Sequence, residues 1–555
     1  VGSEMCIRDR DFKKGIFQAG TNVVLTYDQS NPLYSVIRGG MVGHTLQAIP
    51  TWEQYDENRT GGYGGLYGDV VNLTHPLGMV DDNLMKRYSD NVKIFANAYV
   101  SVELMKGLKY KLNLTPDFQF YRYNSYEGLF DFGLAKHDIT AVTEQQTRTR
   151  NILVENLLTF DRTFGDHKVS ALVGYTYQDS RYRYMQGSGQ GMPTGITEID
   201  AASQGLAVSG NSSRSVLTSI LGRAFYSYKN RYLLTATIRR DGSSKFGSNY
   251  RYGNFPSVSV GWNIAEEDFV KNSVSWLDQL KLRGGYGVLG NQEIDNYQYV
   301  SVVTTGINYP DGKSGLIQGA FPKTFANPDI KWEETAMTNV GIDFMALRNR
   351  LTLTADWYVK NTKDILLNVP IPISTGGAND PIRNAGKIRN QGFEFNLGWN
   401  ESLNKDLSYG VSFLGTYNKN EVVEMGAESQ VITGGTIHGG TYTSRTLAGY
   451  PIGGFWLIPT DGYFNSTEEV QAHQKDGVLI QPSAEPGDIR FKDTNNDGTI
   501  NDEDRVYCGS PFPKFTYSIN GNITYKNVDF SIGFQGVTAV SYTHLRAHET
   551  SQDLV

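Results

Sequence analysis

The sequence predicts an all-β protein, a transmembrane antiparallel β-barrel, because apolar and polar residues alternate within segments and short connections alternate with long ones. In the clearest segment, residues 515–525, one side carries Phe515, Tyr517, Ile519, Gly521, Ile523 and Tyr525, and the other carries only Ser, Thr and Asn. Successive side chains of a strand point to opposite faces, so one face is apolar with an aromatic ring at each end. A barrel wall has this pattern, with aromatic residues at both membrane interfaces and a polar lumen.

Further segments alternate in the same way, each beside a predicted turn, at residues 232–239, 257–264 and 351–358. One short alternating run is weak evidence, whereas several that adjoin turns indicate a repeated wall unit. We expect residues 213–361 to form a contiguous antiparallel wall. In that wall we expect four apolar side chains to face the lipid: Ile238, Trp262, Leu353 and Trp357.

Length and composition restrict the class of protein. The 555 residues include 34 Tyr and 26 Phe, yet no apolar run approaches the ~18 residues of a membrane-spanning helix. This composition excludes a helical membrane protein. The remaining classes are a soluble β protein and a barrel, in whose strands apolar residues alternate with polar ones. The net charge of −7 argues against nucleic acid as a partner, since phosphate binding requires concentrated Lys and Arg. Two cysteines supply no disulfide framework.

Short and long connections alternate along the chain. Short ones are predicted at residues 105–107, 163–166, 229–230, 348–349, 402–405 and 526–527, with a short helical piece at 266–271. Long ones are predicted at residues 124–148, 185–212, 290–332, 362–388 and 420–513. Bacterial barrels have short periplasmic turns and long extracellular loops, and closed ones ordinarily have an even strand number. We predict roughly fourteen or fifteen strands, and a partial barrel, because the last strand is interrupted near residue 540.

The two ends differ in character from the middle of the chain. Residues 1–10 lack the basic and apolar regions of a signal peptide, and residues 540–555 replace an alternating strand with a charged tract. Both resemble translated sequencing-adapter read-through, and a native charged tail is the alternative. We expect residues 11–539 to be a partial outer-membrane barrel and the chain to be an internal fragment of a longer protein.

Several motifs resemble the SusC/RagA-type, TonB-linked outer-membrane transporters of Bacteroidetes-like bacteria. They lie in family order at residues 232–247, 255–262, 280–287, 290–292, 327–333, 384–386, 390–394, 487–491 and 509–511. Residues 11–220 match this family in pattern more than in motif. The combination from about residue 230 to 535 is specific, although no single motif would be.

The resemblance implies the fold, location and partners of the parent protein. It implies a 22-stranded barrel in the outer membrane of a Gram-negative bacterium, of which this chain would be a part. It also implies an N-terminal plug, a SusD-like surface lipoprotein as lid, and TonB–ExbB–ExbD acting through the N-terminal region. The implied activity is import of oligosaccharides or peptides. The alternatives are a non-energised barrel acting as adhesin or passive pore, and a secreted calcium-dependent carbohydrate-binding protein.

The strongest local motif is the acidic loop at residues 493–504. Ca²⁺ binds oxygen ligands, and a twelve-residue loop can supply them from positions 1, 3, 5, 7 and 12, with Gly at position 6 for the turn. The corresponding residues are Asp493, Asn495, Asp497, the carbonyl of Thr499, and Asp504. Position 12 is Asp rather than the longer Glu, which weakens the match. An Asx-rich turn that satisfies its own backbone is the alternative.

Other candidate groups are weaker. We find no catalytic constellation and expect no enzyme activity. The acidic pairs Glu266–Glu267 and Glu333–Glu334 are interpreted as solvated charge, and the His544/His548 pair lacks the Glu of a zinc-protease motif. Six aromatic residues predicted in loops would stack on sugar rings, belong to the membrane-interface girdle or pack within the loops: Tyr121, Tyr123, Tyr126, Phe455, Trp456 and Tyr463.

Overall fold

The structure is a computed structural model that describes residues 2–32, 40–65, 74–133, 135–312, 315–369, 371, 374, 379–426, 431–434 and 442–538. The predicted non-native segment 540–555, with its His544/His548 pair, lies outside the described residues. Within them, no helix is long and apolar enough to cross a membrane. The α-helices are Gly40–Gln47, Asp268–Lys271 and Thr467–Ala472.

One sheet of sixteen strands dominates the described chain, and each strand is hydrogen-bonded to its neighbour in sequence. We number these sheet strands in chain order. They are β1 Gly2–Lys14, β2 Phe17–Ser30, β3 Met85–Met105, β4 Leu108–Glu127, β5 Ala141–Phe164, β6 His167–Gln190, β7 Gln204–Tyr228, β8 Tyr232–Ser243, β9 Tyr252–Asn263, β10 Leu277–Asn291, β11 Glu333–Ala346, β12 Leu351–Lys363, β13 Lys387–Ser402, β14 Leu407–Glu424, β15 Phe515–Tyr525 and β16 Val528–Thr538.

The predicted all-β class and the alternation of turns are confirmed, with two corrections. The sheet has sixteen strands rather than fourteen or fifteen, because β1 and β2 pair over residues 2–14 and 17–30. The predicted long segments 124–148 and 185–212 are also too long, since β4 and β5 extend through Glu127 and from Ala141, and β6 and β7 extend through Gln190 and from Gln204. The helical piece at 266–271 is confirmed as a 3-10 turn, Ile264–Glu266, followed by the helix Asp268–Lys271.

Backbone conformation explains the short turns. Lys229 and Asn230 have φ of 50° and 55°, and positive φ at both central residues defines the two-residue turn whose twist matches that of the flanking strands. The connection at 347–350 is a four-residue loop between the paired Ala346 and Leu351, with positive φ at Leu347, Arg348 and Asn349. These turns set the register of the antiparallel pairs on either side.

The chain divides into two compact units, which are described separately. Unit 1 lies within Val1–Arg162, Ser170–Gly222 and Arg239–Lys245, and unit 2 within Thr163–Val169, Arg223–Ile238 and Phe246–Val555. In both, the apolar face of the sheet is exposed; examples are Val23, Leu112, Leu114, Val173 and Ile220 in unit 1, and Val260, Phe393, Val411 and Ile519 in unit 2. Uncovered apolar side chains in such numbers identify a lipid-facing surface.

The side chains predicted to face lipid follow this pattern. Ile238, Trp262 and Trp357 are 51%, 38% and 49% exposed, which confirms their outward position. Leu353 lies at the same alternating position as Trp357 but is half-buried. The structure therefore contradicts a soluble sandwich, which would bury these side chains in a dry core.

The long segments carry small sheets of their own. These pair Phe130–Asp131 with Lys136–His137, Val302–Pro310 with Leu316–Thr324, Leu366–Asn368 with Ile382–Asn384, Thr460–Tyr463 with Ile489–Phe491, and Gln474–Lys475 with Val478–Leu479. A four-stranded sheet joins Ile432–Thr433, Ser444–Thr446, Gly454–Leu457 and Val506–Gly509. Buried hydrophobic side chains such as Met79, Phe132, Phe246, Ile330 and Phe464 lie in these segments. In each unit these buried side chains thus lie at the long-loop end, Met79 and Phe132 in unit 1 and the other three in unit 2, where water rather than lipid surrounds the chain.

Candidate functional site

The long-loop end of unit 2 is organised around Trp332. This side chain is 5% exposed and lies between Phe246 and Phe255, with ring-centroid distances of 5.0 and 5.4 Å. Its Nε1 donates a hydrogen bond to the Arg251 carbonyl at 3.1 Å. Three of the motifs that carried the family resemblance, at 232–247, 255–262 and 327–333, therefore meet in one aromatic core.

Asn384, in a fourth motif, ties the loops together. Its Oδ1 accepts the Lys331 N–H at 2.9 Å, and its Nδ2 donates to the carbonyls of Lys331 and Asp364 at 2.7 and 2.9 Å. Gly247 allows the Pro328 carbonyl to approach, since an added Cβ would lie 2.7 Å from that oxygen. These contacts give the motifs a structural role, since they hold the loops in place.

The acidic loop at 493–504 lies at the same end as the other long segments, opposite the Lys526–Asn527 turn, because β15 runs between them. Asp493 accepts the backbone N–H groups of Asp497 and Gly498 at 3.0 and 2.7 Å. Asn495 accepts the same Asp497 N–H at 2.9 Å and donates from Nδ2 to the Asp497 carboxylate at 3.0 Å. The turn is thus compact, and the oxygens of these three side chains bind N–H groups of the loop itself, as the alternative of an Asx-rich turn requires.

Asp504 is placed differently from the other predicted ligands. It is completely buried, and its two oxygens accept the N–H groups of Thr494 and Asn501 at 2.7 and 2.8 Å. Among the described residues, no three or more His, Cys, Asp or Glu side chains are grouped as a metal site. Each carboxylate oxygen has a second lone pair, so the donor chemistry suits Ca²⁺, but the loop must draw Asp504 toward Asp493 and Asp497 to enclose an ion.

Hydrogen bonds to Asp497 determine the electrostatics of this loop. The Thr499 hydroxyl and N–H donate to one carboxylate oxygen at 2.8 and 2.7 Å. With a further bond from Asn495, they lower the pKa of Asp497 to about 2. Because hydrogen bonds to the charged form favour it, Asp497 is an anion at neutral pH and available to a cation.

The aromatic candidates divide into three groups. Tyr126 is 1% exposed and packs with Val142 and Met192, which agrees with the loop-packing alternative. Tyr463 is 63% exposed and could contact a ligand. The other four, Tyr121, Tyr123, Phe455 and Trp456, are half-buried. Trp456 packs against Tyr450 at 4.9 Å, which is loop packing.

Charged side chains on the polar face of unit 2 form a row across three strands that sequence reasoning missed. Arg283 of β10, Gly341 of β11 and Asp356 of β12 are register partners. The Arg283 guanidinium reaches across Gly341 and binds both oxygens of Asp356 at 2.6 and 2.5 Å, and its Nε also binds Asp343 at 3.2 Å. Gly341 makes this possible, since an added Cβ would lie 2.6 Å from the Arg283 Cζ.

At the short-turn end of unit 2, the interpretation of Glu267 as solvated charge is wrong. Glu267 is 8% exposed and accepts hydrogen bonds from the Tyr232 hydroxyl at 2.7 Å and the Trp262 Nε1 at 3.0 Å. These bonds, with Arg231 nearby, lower its pKa. Tyr232 and Trp262 are outward aromatic residues next to the turn, as expected of a membrane-interface girdle.

Comparison with known families agrees with this architecture. A family model described as TonB dependent receptor-like, beta-barrel, matches residues 41–550. The chain belongs to this family. It is therefore part of a receptor barrel of the Gram-negative outer membrane, and the predicted family, fold class and location are confirmed.

Curated relatives of this receptor barrel are themselves receptors. The chain is 29% identical to TonB-dependent receptor P3 of Formosa agariphila over 91% of its own length and 50% of that protein. It is 31% identical to TonB-dependent receptor P39 of the same species over 79% of its length and 44% of that protein. TonB-dependent receptor SusC of Bacteroides thetaiotaomicron is 33% identical over 58% of the chain and 31% of SusC. The chain thus spans half or less of the length of these relatives.

Among solved structures, the receptor barrel is similar to the RagAB peptide transporter. The TM-score is 0.80 at 20% identity, over 97% of this chain and 58% of that one. The RagAB peptide importer in its closed-closed state gives a TM-score of 0.79 at 19% identity, with the same coverage. At this identity the likeness establishes the fold alone.

Proposed function

We propose that the chain forms much of the wall of an energy-coupled importer for oligosaccharides or peptides. The observation that carries this proposal is the family match over residues 41–550. The sheet supports it, because its polar face carries charged and amide side chains such as Arg283 and Asp356 in unit 2, and Asn97 and Asn113 in unit 1. Such a face suits a wet lumen wide enough for a solute or a plug.

The proposed partners follow from the resemblance to the SusC/RagA type. A SusD-like lipoprotein would cover the long-loop end, and TonB–ExbB–ExbD would supply energy through an N-terminal region. Peptides are supported by a similar structure, the RagAB peptide transporter, whereas oligosaccharides rest on the resemblance to the SusC/RagA type alone. An adhesin or passive pore is the competing function.

Uptake in the native host tests this function. We expect cells that carry the complete gene product to import labelled oligosaccharides or peptides, and deletion of the gene or of TonB to abolish import of the same label. Energy coupling requires both components, whereas a passive pore requires neither TonB nor a proton gradient. Import that persists without TonB would favour the pore, and loss of surface attachment with no change in uptake would favour the adhesin.

For the acidic loop we propose Ca²⁺ binding by Asp493, Asn495, Asp497, the Thr499 carbonyl and Asp504. The support is the oxygen donor set and its spacing. Calorimetry on the folded protein should give a binding heat that Asp497→Ala removes. Asp502→Ala is the matched control, because Asp502 belongs to the loop but instead binds Arg505 at 2.6 Å. Equal heats from both variants would contradict the site.

The lowered pKa of Asp497 adds a pH dependence to this prediction. A carboxylate whose folded pKa is depressed stabilises the folded loop above its unfolded pKa, near 4, and this stabilisation is lost as pH falls toward about 2. Protons should therefore compete weakly with Ca²⁺ at Asp497 between pH 7 and about 4. A binding heat that falls steeply between pH 7 and 5 would contradict the role given to Asp497.

A further inference from the structure

The outward face of unit 1 changes from apolar residues to arginines on four neighbouring strands, β4 to β7. Toward the long-loop end, outward positions pass from Phe120 to Arg122 on β4, Ile152 to Arg150 on β5, Tyr177 to Arg181 on β6, and Val216 to Arg214 on β7. These arginines alternate in phase with the exposed lipid-facing residues of the same strands, Leu114, Leu158, Val173 and Ile220. They therefore begin where the apolar band ends.

Ion pairs show that the apolar-to-arginine changes on β5, β6 and β7 lie at the same distance along the barrel axis. Asp179 of β6 lies between Arg150 of β5 and Arg214 of β7, with nitrogen–oxygen distances of 3.5 and 3.0 Å. Arg181 binds the same carboxylate at 3.2 Å. On β4, Phe120 is the register partner of Arg148. We call the whole set the outer arginine patch: Arg122, Arg148, Arg150, Arg181, Arg183 and Arg214.

The patch has more cations than nearby carboxylates. The Asp179 carboxylate forms ion pairs with three arginines of the patch, Arg150, Arg181 and Arg214. The Glu144 carboxylate binds Arg122 at 2.9 Å. Asp90, on the same outward face, accepts hydrogen bonds from Tyr27 and Tyr88 at 2.9 and 2.5 Å. Six arginines thus face three carboxylates, so the patch is a local positive surface in a chain whose net charge is −7.

A groove on this surface combines both kinds of residue. It is lined by the arginines Arg122, Arg148 and Arg183 and by the apolar side chains Val92, Phe120 and Met185. One carboxylate, that of Asp90, and the amide of Gln146 also line it, so three cations face one anion in the groove. The Arg148 guanidinium lies 5.5 Å from the Phe120 ring centroid. Cations beside exposed apolar side chains are complementary to an anionic group attached to a hydrocarbon chain.

We propose that the outer arginine patch binds a phosphate-bearing lipid of the outer leaflet. Guanidinium groups bind phosphate in bidentate geometry and are more weakly hydrated than ammonium groups. Basic clusters at headgroup level bind anionic lipid headgroups. Val92, Phe120 and Met185 would then contact the start of the acyl chains. A soluble acidic protein fits less well, because the groove faces sideways at the edge of the lipid-facing band rather than into the solvent above it.

The test measures lipid retained by the complete gene product that contains this chain. The protein is placed in nanodiscs of phosphatidylcholine that contain either diphosphoryl lipid A or the same lipid A after dephosphorylation. It is then purified from the nanodiscs, and the lipid that remains bound is quantified by mass spectrometry. We expect retention of the diphosphoryl form only. The triple variant Arg122→Ala/Arg148→Ala/Arg183→Ala should retain it on the order of a hundredfold less. It leaves the Asp179 cluster intact, so the wall should still fold.

The matched control removes outward cations elsewhere. Arg389→Ala/Lys419→Ala changes exposed residues on β13 and β14 of unit 2 and should retain lipid A like the wild type. Heat-dependent gel mobility confirms that each variant is folded. Equal retention by the triple variant, or equal retention of the dephosphorylated lipid, would overturn the proposal. So would capture of an acidic protein at the patch with no phosphorylated lipid bound.

Discussion

Replacing Trp332 by Ala is expected to destabilise the long-loop end of unit 2 by about 3–5 kcal/mol, the usual effect of truncating a buried aromatic side chain. The side chain is 5% exposed, contacts Phe246 and Phe255, and donates a hydrogen bond to the Arg251 carbonyl. Its loss removes the aromatic core and leaves that carbonyl without its partner. The loops should become sensitive to protease at a lower temperature than in the wild type.

Trp276→Ala is the control for this change. Trp276 is 52% exposed, and its ring centroid lies 6.3 Å from that of Phe344, so its truncation removes little packing. We expect a shift of the protease-sensitivity midpoint for Trp332→Ala and almost none for Trp276→Ala. Similar shifts for both variants would show that the aromatic core does not hold the loops.

Replacing Gly341 by Ala is expected to destabilise the sheet of unit 2 by about 1 kcal/mol, because the side-chain ends that the new Cβ meets can move aside but must give up their ion pair. The new Cβ would lie 2.6 Å from the Arg283 Cζ and 2.6 Å from the Asp356 Oδ1, so the ion pair that crosses β11 must open. Opening it leaves Asp356 and Asp343 without their shared cation. Denaturant unfolding in detergent, followed by tryptophan fluorescence, measures the change.

Two further variants isolate the role of the ion pair. Gly284→Ala adds a Cβ on the neighbouring strand whose closest contacts are at 3.9 Å, so it should be nearly neutral. In an Arg283→Ala background, Gly341→Ala should lose most of its effect, because the side chain that it displaces is gone. Additive effects of the two changes would show that Gly341 acts independently of Arg283.

The sequence predicted the lipid-embedded parts of the strands well, because lipid imposes strict alternation on them. It predicted the long-loop ends of the strands poorly. Residues 141–148 are mainly polar on both faces, so no alternation marks them, yet they belong to β5. Outside the lipid an outward side chain can be polar, and hydrogen bonding to β4 rather than hydrophobicity maintains the strand.

The candidate sites also differ in how well the sequence predicted them. The acidic loop is contiguous in sequence, so its donors were predictable, although the burial of Asp504 was not. The partners of Glu267 and Arg283 are 35 and 73 residues away, respectively, at Tyr232 and Asp356. Contacts over such separations depend on register, which turn geometry and pairing determine together. Residue type alone suggested solvated charge.

The length of the strands in unit 1 has a consequence for where the sheet can open. β5 has 24 residues, which at ~3.3 Å per residue and a tilt of ~45° gives a height of roughly 55 Å, against ~25 Å for the apolar band. Its upper part therefore stands in water, where a broken backbone hydrogen bond can be replaced by one to solvent. Its lower part has no such replacement. Deuterium should enter these strands from the long-loop end downward and stop near Arg150.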